Sequence, residues 1–291
     1  MKFFADTASL DEIEYCFSNH VNDGITTNPK ILESTGDLSL GFEQACKAIL
    51  QRYPNVPVSL ETDLREVELD QTENKTRDVR DSILKQARKI ASWQKNAVIK
   101  IPICWGGILA TEILSEENIK TNVTACMTPH QALEAAKVGA TYVSLFANRM
   151  LDYHILELAG YDIKETLQKP IWKDFVSNNK DKYFEEAWQI TLDEIAYVAE
   201  KLDNKPTDLI IGSIRSPEDI LRLIKASPQA ITIPTKIVKG LEENKEDILK
   251  LKSTQRTINP KYVRPGNSIC HPMTSYTLEE FEDSAAKYRN N

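Results

Sequence analysis

The sequence predicts an α/β fold in which strands and helices alternate along one continuous chain. Eight short runs rich in apolar and β-branched residues recur between residues 2 and 234, and amphipathic, helix-like stretches separate them. Near-continuous apolar strands of this kind are typical of a parallel sheet that helices cover on both faces. Eight strand–helix units of this length predict a (β/α)8 barrel, the TIM-barrel fold. An open doubly wound sheet is the alternative, but the sequence lacks its usual GxGxxG fingerprint.

The strands are predicted from apolar runs and the helices from amphipathic stretches. The strand runs are KFFA (2–5), GITT (24–27), VSLE (58–61), AVIKIP (97–102), IKTNVTA (119–125), TYVSLF (141–146), DLIIGS (208–213) and AITIP (230–234). Helix-like stretches between them include Leu10–Ser18, Arg77–Gln94, Pro129–Lys137, Glu185–Lys201 and Pro217–Lys225. DTASLDE after the first strand resembles a helix cap, and TTNP after the second favours a turn.

Two segments exceed a minimal barrel. One is Met150–Pro206, between strands six and seven, and the other is Thr235–Asn291, after strand eight. Both have partly helical patterns. We therefore predict a single barrel domain over residues 1–291, with a helical C-terminal extension from about residue 235 to residue 291.

Composition and charge argue against several classes of function. A net charge of −7 disfavours nucleic acid or an anionic membrane as a partner, because both attract positive surfaces. The five cysteines show no CxxC spacing and the four histidines no metal-ligand spacing, so neither a metal site nor a disulfide framework is indicated. With no secretory signal and no apolar run long enough to cross a bilayer, we expect a cytoplasmic protein.

Polar residues recur inside or just after the predicted strands. In strand order they are Asp6; Thr26, Thr27 and Asn28; Glu61; Lys100; Asn122 and Thr124; Ser144, followed by Asn148 and Arg149; and Ser213, followed by Arg215. In a (β/α)8 barrel the C-terminal ends of the strands converge on one mouth, where active sites lie. We therefore expect these side chains to meet in one pocket.

Lys100 is the most informative of them, because it interrupts the apolar strand AVIKIP. Burial disfavours the charged form of an amine, and a neutral amine attacks carbonyl carbons to form a Schiff base. A core ion pair with Asp6 or Glu61 is the alternative interpretation, and the spacing alone does not decide between the two. Taken singly, Asp6 could be a helix-cap residue, and the two arginines could be surface charges. Only the occurrence of all these polar residues at the strand ends together indicates an active site.

Seven stretches resemble, in order, the strand motifs of one enzyme family. They are FADTAS, DGITTNPKIL, VSLETD, VIKIPICWGG, NVTACM, VSLFANRMLDY and IIGSIRSPEDI, and they cover most of the barrel. The family is the transaldolases, class I aldolases that form a Schiff base on a barrel lysine. The resemblance implies a transferase that moves a dihydroxyacetone unit between sugar phosphates, in the carbohydrate metabolism of the pentose phosphate pathway.

Three positions bear on the branch of the family. Glu61, Asn122 and Phe146 resemble the transfer enzymes, whereas the related fructose-6-phosphate aldolases tend to have glutamine, an apolar residue and tyrosine there. The chain departs from the family pattern at Cys104 and Gly106, at Cys126 and at Asn148. These departures leave the exact donor and acceptor sugars open.

The resemblance also assigns roles. Lys100 is the nucleophile, Glu61 and Thr124 hold a water that carries protons, and Asp6 takes the C4 hydroxyl proton of the ketose. The expected binding residues are Thr26, Asn28, Asn122, Ser144 and Phe146 for the sugar and Arg149, Ser213 and Arg215 for the phosphate, with the helix beginning near Pro217 adding N–H donors. No metal or organic cofactor is expected, because the protonated imine is itself the electron sink. The expected ligands are sugar phosphates, and a homo-oligomer is left open.

Two alternatives remain at this point. One is an enzyme of similar chemistry, either like the fructose-6-phosphate aldolases or acting on another anionic sugar such as a sulfonated ketose. The other is a barrel that binds a sugar phosphate without turning it over. The set Asp6, Glu61 and Lys100 argues against the second, because a binding protein has no use for a reactive amine.

Overall fold

Eight parallel strands close into a barrel in the computed structural model. It describes residues 1–35, 41–62, 73–169, 171–241 and 266–289, together with Lys252, Thr257, Ile258 and Val263. The strands are β1 (Lys2–Asp6), β2 (Gly24–Thr26), β3 (Val58–Glu61), β4 (Ala97–Pro102), β5 (Thr121–Cys126), β6 (Tyr142–Phe146), β7 (Asp208–Gly212) and β8 (Ala230–Ile233). Each strand pairs with the next, and β8 pairs with β1. The predicted (β/α)8 barrel is confirmed, and the open doubly wound sheet is wrong, because an open sheet leaves its edge strands unpaired.

Helices surround the barrel. They are α1 (Leu10–Ser18), α2 (Pro29–Thr35), α3 (Gly41–Arg52), α4 (Glu73–Ala91), α5 (Trp105–Glu116), α6 (Pro129–Lys137), α7 (Ala147–Leu158), α8 (Ile163–Leu167), α9 (Trp172–Leu202), α10 (Pro217–Leu223), α11 (Thr235–Gly240) and α12 (Pro272–Arg289). Helices α1 and α6 have the predicted bounds, and their first turns are capped by the hydroxyls of Ser9 and Thr128. Helix α9 begins earlier than its apolar period suggested, because most of its first half is exposed and carries little such pattern.

Alternate residues of the strands fill the barrel interior, which is apolar toward one end and polar toward the other. One buried apolar cluster consists of Phe4, Val98, Tyr142, Ile210 and Ala230. Side chains two residues apart along a strand share a face. The next positions on that face, toward the C-terminal ends, are Asp6, Lys100, Ser144, Gly212 and Thr232. The polar residues therefore lie at the mouth, above an apolar layer.

Strand register brings the central polar residues side by side. Lys100 on β4 is the register partner of Glu61 on β3 and of Asn122 on β5. On β5 the register with β6 shifts between Val123 and Cys126, and Ala125 there has a φ of 60°. Such an irregularity bends a strand near its end and is common beside active sites.

Helix α12 lies against the C-terminal mouth of the barrel. The Thr274 hydroxyl donates to the carbonyl oxygen of Ala125 at 2.9 Å, at the end of β5. Phe281 packs against Phe146, at the end of β6, with ring centroids 6.3 Å apart. Much of the predicted extension, including residues 242–251, lies outside the described residues, but its described part includes helices α11 and α12, and α12 contributes to the mouth.

Within the ranges that the structure describes, no helix combines the length and apolarity needed to cross a membrane.

Candidate active site

A cavity of about 420 Å³ opens at the C-terminal mouth of the barrel. It is lined by eight of the residues predicted from the sequence, namely Asp6, Thr26, Asn28, Lys100, Ser144, Phe146, Arg149 and Ser213. Glu61, Asn122 and Thr124 are buried in the neighbouring strands and are not part of the lining. Arg215 is also not part of it. The structure thus brings most of the predicted set together around one space.

Lys100 is 4 % exposed and its amine has two close partners. Nζ donates to the carbonyl oxygen of Thr27 at 2.9 Å and lies 3.1 Å from Oε2 of Glu61. The ring centroid of Phe281 is 5.9 Å away. Lys100 therefore forms a core ion pair with Glu61, as the alternative interpretation of its burial expected. Its side chain also reaches a cavity, where a carbonyl group could approach the amine.

Two carboxyl groups accompany the lysine, the buried Glu61 and the partly buried Asp6, and loss of solvation raises the pKa of each. For Glu61 the loss of solvation outweighs the opposing attraction of Lys100. For Asp6 it outweighs both Lys100 and the hydrogen bond that the Thr26 hydroxyl donates to Oδ1 at 2.6 Å. A carboxyl group with a raised pKa is suited to accept and return protons near neutral pH.

One buried oxygen near Lys100, Oγ1 of Thr124, has no hydrogen-bond partner within the described part of the chain. Among the described residues, Oε2 of Glu61 has no partner besides the ion pair with Nζ of Lys100. Buried polar atoms are normally paired with protein or with water. Both residues stand one strand away from Lys100, and both are therefore available to a small polar molecule bound there.

Side-chain hydrogen bonds connect β6, β5 and β3 inside the barrel. The Ser144 hydroxyl donates to Oδ1 of Asn122 at 2.7 Å, and Nδ2 of Asn122 donates to the Ser59 hydroxyl at 3.2 Å. These bonds fix the orientation of the Asn122 amide. Asn28 lines the cavity, and its Oδ1 also accepts from the Ile31 amide at 2.8 Å, which anchors the first turn of α2.

Arg149 lines the cavity, but its guanidinium is already engaged. Nη2 forms an ion pair with Oε2 of Glu280 on α12, and the Tyr276 ring lies 5.5 Å from the guanidinium carbon. Nη1 is buried and has no partner among the described residues. Within the described part of the chain, Arg149 therefore has one unpaired donor group, and that group is buried.

Arg215 turns away from the cavity. Its guanidinium forms a two-pronged ion pair with the buried Asp152, with distances of 2.8 Å and 2.5 Å. The expected contribution of the helix beginning at Pro217 is also reduced, because the amides of Arg215 and Ser216 donate to the Asp219 carboxylate. That carboxylate also accepts from Asn148, whose amide donates to the Ser213 carbonyl oxygen as well. The direct role of Arg215 in anion binding stays a prediction.

Packing explains the departures from the family pattern at Cys104 and Gly106, which follow β4. A Cβ on Gly106 would come within 2.6 Å of Val79 on α4, and one on Gly107 within 2.4 Å of the Pro102 carbonyl oxygen. Cys104 replaces the usual hydroxyl cap of α5, with Sγ accepting from the Gly107 amide at 3.2 Å. The two glycines therefore let α5 start close against β4 and α4.

Several lining residues were missed by the sequence argument. They include Glu12, Lys30, Thr232, Lys236 and Phe281. Thr232 could have been found, because it stands two residues after the interior Ala230 on β8. Phe281 lies in a tail with no strand pattern, so no sequence signal placed it at the mouth. Among the described residues there is no cluster of three or more side chains suited to hold a metal ion.

Comparisons with known proteins give the same family that the motifs resemble. The family model described as Transaldolase/Fructose-6-phosphate aldolase matches residues 3–291. A probable transaldolase from Hydrogenobaculum sp. is 34 % identical over 241 residues, which cover 83 % of this chain and 88 % of the relative. Probable transaldolases from Thermoanaerobacter sp. (32 % over 257 residues; 85 % and 96 %) and Anaeromyxobacter sp. (30 % over 249 residues; 84 % and 90 %) are also similar. With a barrel of this topology and a match over nearly its whole length, the chain belongs to the transaldolase/fructose-6-phosphate aldolase family.

Proposed function

We propose that the chain transfers a dihydroxyacetone unit from a ketose phosphate, such as fructose 6-phosphate or sedoheptulose 7-phosphate, to an aldose phosphate through a Schiff base on Lys100. The observation that carries this proposal is the buried Lys100 amine, which reaches the cavity 3.1 Å from Glu61. Asp6 lines the same cavity. Family membership supports the chemistry, and the geometry supports the assignment of roles.

The first half of the reaction attaches the donor. Unprotonated Nζ attacks the C2 carbonyl carbon of the ketose, and the resulting carbinolamine loses water to give an imine. Among the described residues, Oγ1 of Thr124 is buried without a partner, and Oε2 of Glu61 is paired with Lys100 alone. They are suited to hold the water that carries protons to and from the carbinolamine. The raised pKa of Glu61 favours this exchange near neutral pH.

The second half breaks and remakes a carbon–carbon bond. Asp6 accepts the proton of the C4 hydroxyl, the C3–C4 bond breaks, and its electron pair moves into the protonated imine to give an enamine. The aldose phosphate leaves, and the three-carbon unit stays on Lys100 near Ser144 and Asn28. A second aldose phosphate then adds to the enamine, Asp6 returns the proton, and hydrolysis of the imine releases the new ketose.

Phe146 supports transfer over simple cleavage. Its ring lines the cavity and packs against Phe281, so this wall presents no hydroxyl group to position water at the enamine. An enamine that is slow to be protonated and hydrolysed has time to meet an acceptor. Arg149 supplies the guanidinium that would bind the phosphate, since forked donors match phosphate oxygens.

The pairing of both predicted arginines with carboxylates leaves one alternative open. Arg149 is bound to Glu280 and Arg215 to Asp152. An enzyme of the same chemistry that acts on a different sugar, as an aldolase or on a sulfonated ketose, therefore remains the second candidate. A barrel that binds sugar phosphates without turnover is the third, and the raised pKa values beside a buried lysine argue against it.

Reductive trapping tests the proposal. The protein is incubated with fructose 6-phosphate and borohydride, and the adduct is located by mass spectrometry of peptides. We expect the adduct on residue 100, and transfer of the three-carbon unit to erythrose 4-phosphate in the absence of borohydride. Lys137→Ala, which removes an exposed lysine on α6, is the matched control and should be trapped like the wild type. An adduct without transfer would support the aldolase, and no adduct with phosphorylated or neutral ketoses would support the binding protein.

A further inference from the structure

Glu280 on α12 is held by a cluster of cationic side chains. Its carboxylate forms an ion pair with Arg149, and it lies 3.9 Å from Nζ of Lys30 and 3.7 Å from Nζ of Lys173. The Tyr276 hydroxyl donates to Oε1 at 3.2 Å. One guanidinium, two ammonium groups and a hydroxyl around a single anion form a donor set of the kind that binds phosphate groups.

This cluster belongs to the mouth of the catalytic cavity. Arg149 and Lys30 both line the cavity that contains Lys100. Phe281, the next residue after Glu280, lines it too and lies over the amine of Lys100. Glu280 itself is not a lining residue, but its carboxylate is bound to the cation that the sequence assigned to the substrate phosphate, and that cation lines the cavity.

The charge state of Glu280 makes it a competitor for an anion. Partial burial favours the neutral acid, but Arg149, Lys30 and Lys173 outweigh it and hold the pKa of Glu280 below its usual value. The residue is consequently anionic at neutral pH. Its side chain is 19 % exposed, so the ion pair is screened by solvent only in part.

We propose that Glu280 is a specificity-determining residue whose carboxylate occupies the anion subsite of the cavity, so that a phosphorylated or sulfonated sugar binds only by displacing it from Arg149. A neutral ketose has no group that must compete with it. Glu280 thus lowers the affinity for every anionic sugar. The affinity falls most for a sugar whose anionic group binds Arg149 too weakly, or lies too far from it, to displace the carboxylate. The inference rests on the proposed function for the identity of the substrate, but the competition itself concerns only the anion.

The isosteric variant Glu280→Gln tests the competition directly. It removes the charge, keeps the size of the side chain and frees Arg149. The matched control is Glu279→Gln, which removes the same charge from an exposed neighbouring position of α12. Inorganic phosphate is the probe, and its affinity is measured by calorimetric titration of the full chain. A charge-assisted hydrogen bond is worth roughly 1.5–3 kcal/mol, so we expect phosphate to bind about 10- to 100-fold more tightly to Glu280→Gln than to the wild type.

Trapping of a neutral donor separates this inference from the proposed function. Phosphate should inhibit the reductive trapping of dihydroxyacetone on Lys100 at lower concentration in Glu280→Gln than in the wild type, each compared with its own rate without phosphate. Unchanged or weaker phosphate binding in Glu280→Gln would overturn the inference, and so would an equal gain in Glu279→Gln. Failure of trapping in the wild type would instead count against the proposed function, and the titration would still decide the role of Glu280. Thermal unfolding checks that both variants are folded, and Glu280→Ala is a second variant that should also bind phosphate more tightly.

Discussion

Lys100 and Glu61 are register partners on adjacent strands, and Nζ of the lysine lies 3.1 Å from Oε2 of the glutamate. The pair is nearly free of solvent, with side-chain exposures of 5 % and 1 %. A proton acceptor thus stands beside the one amine that strand β4 sends into the barrel. This arrangement serves both folding, because each charge is compensated, and the formation of an imine, because a proton can pass between the two groups.

The first prediction concerns the nucleophile. Lys100→Ala and Lys100→Arg should both lose turnover and reductive trapping. The arginine variant is the sharper one, because it keeps a cation beside Glu61 yet cannot form an imine. Peptide mass spectrometry after borohydride treatment measures the trapping, and circular dichroism checks the fold. An adduct on the arginine variant would show that another lysine carries the reaction.

The second prediction concerns Asp6, whose pKa is raised by burial despite Lys100 and Thr26. A carboxyl group with a folded-state pKa above its unfolded value costs stability as the pH rises through the folded pKa. Asp6→Asn should therefore raise the Tm at pH 7, and the gain should vanish below the unfolded pKa. Because the amide cannot accept the C4 hydroxyl proton, kcat for bond cleavage should fall by about 10²- to 10⁴-fold. A lower Tm at neutral pH would show that the charge of Asp6 stabilises the fold.

Strand alternation explains why so much of this site could be predicted. Asp6, Lys100 and Ser144 each stand two residues after an apolar interior residue, namely Phe4, Val98 and Tyr142. Once the barrel is inferred, the period of two places the polar side chains on the inside and at the same end. The eight strands were found for the same reason, since each is a compact apolar run between helical stretches.

The period of two does not extend past the point where the backbone leaves the extended conformation. Ser213 follows β7 with a φ of 63°, so alternation along the strand does not extend to Arg215. Ion-pair partners are likewise set by tertiary structure, because Asp152 lies 63 residues from Arg215 and Glu280 lies 131 residues from Arg149. The contribution of α12 to the mouth is also set by tertiary structure, because nothing in the sequence of the C-terminal extension indicates the surface against which this helix packs.

The third prediction concerns the fate of the enamine. Phe146→Tyr places a hydroxyl group on the wall of the cavity, where it could position water for protonation of the enamine. Release of free dihydroxyacetone from fructose 6-phosphate without an acceptor should rise, while transfer to erythrose 4-phosphate should fall or stay level. Fast release by the wild type itself would contradict the transfer reaction and favour an aldolase.

The fourth prediction concerns the anion site. Arg149→Ala removes the guanidinium that lines the cavity and carries the unpartnered Nη1. Loss of one charge-assisted interaction should raise KM for a phosphorylated donor by about 10- to 100-fold. KM for dihydroxyacetone, which has no phosphate, should change little. Steady-state measurements with both donors decide the matter, and an equal rise for both would mean that Arg149 shapes the mouth without binding the anion.

The last prediction separates Arg215 from Arg149. Arg215 is half-exposed and pairs with Asp152, which is 4 % exposed and would lose its partner in Arg215→Ala. An unsatisfied buried acceptor costs about 1–3 kcal/mol, so Tm should fall by several degrees, and any rise in KM should be similar for phosphorylated and neutral donors. Asp152→Asn in the same chain should recover most of the lost stability, because it removes the uncompensated charge. If Arg215→Ala keeps its Tm and raises KM only for the phosphorylated donor, the guanidinium leaves Asp152 to bind the phosphate, as its position after β7 first indicated.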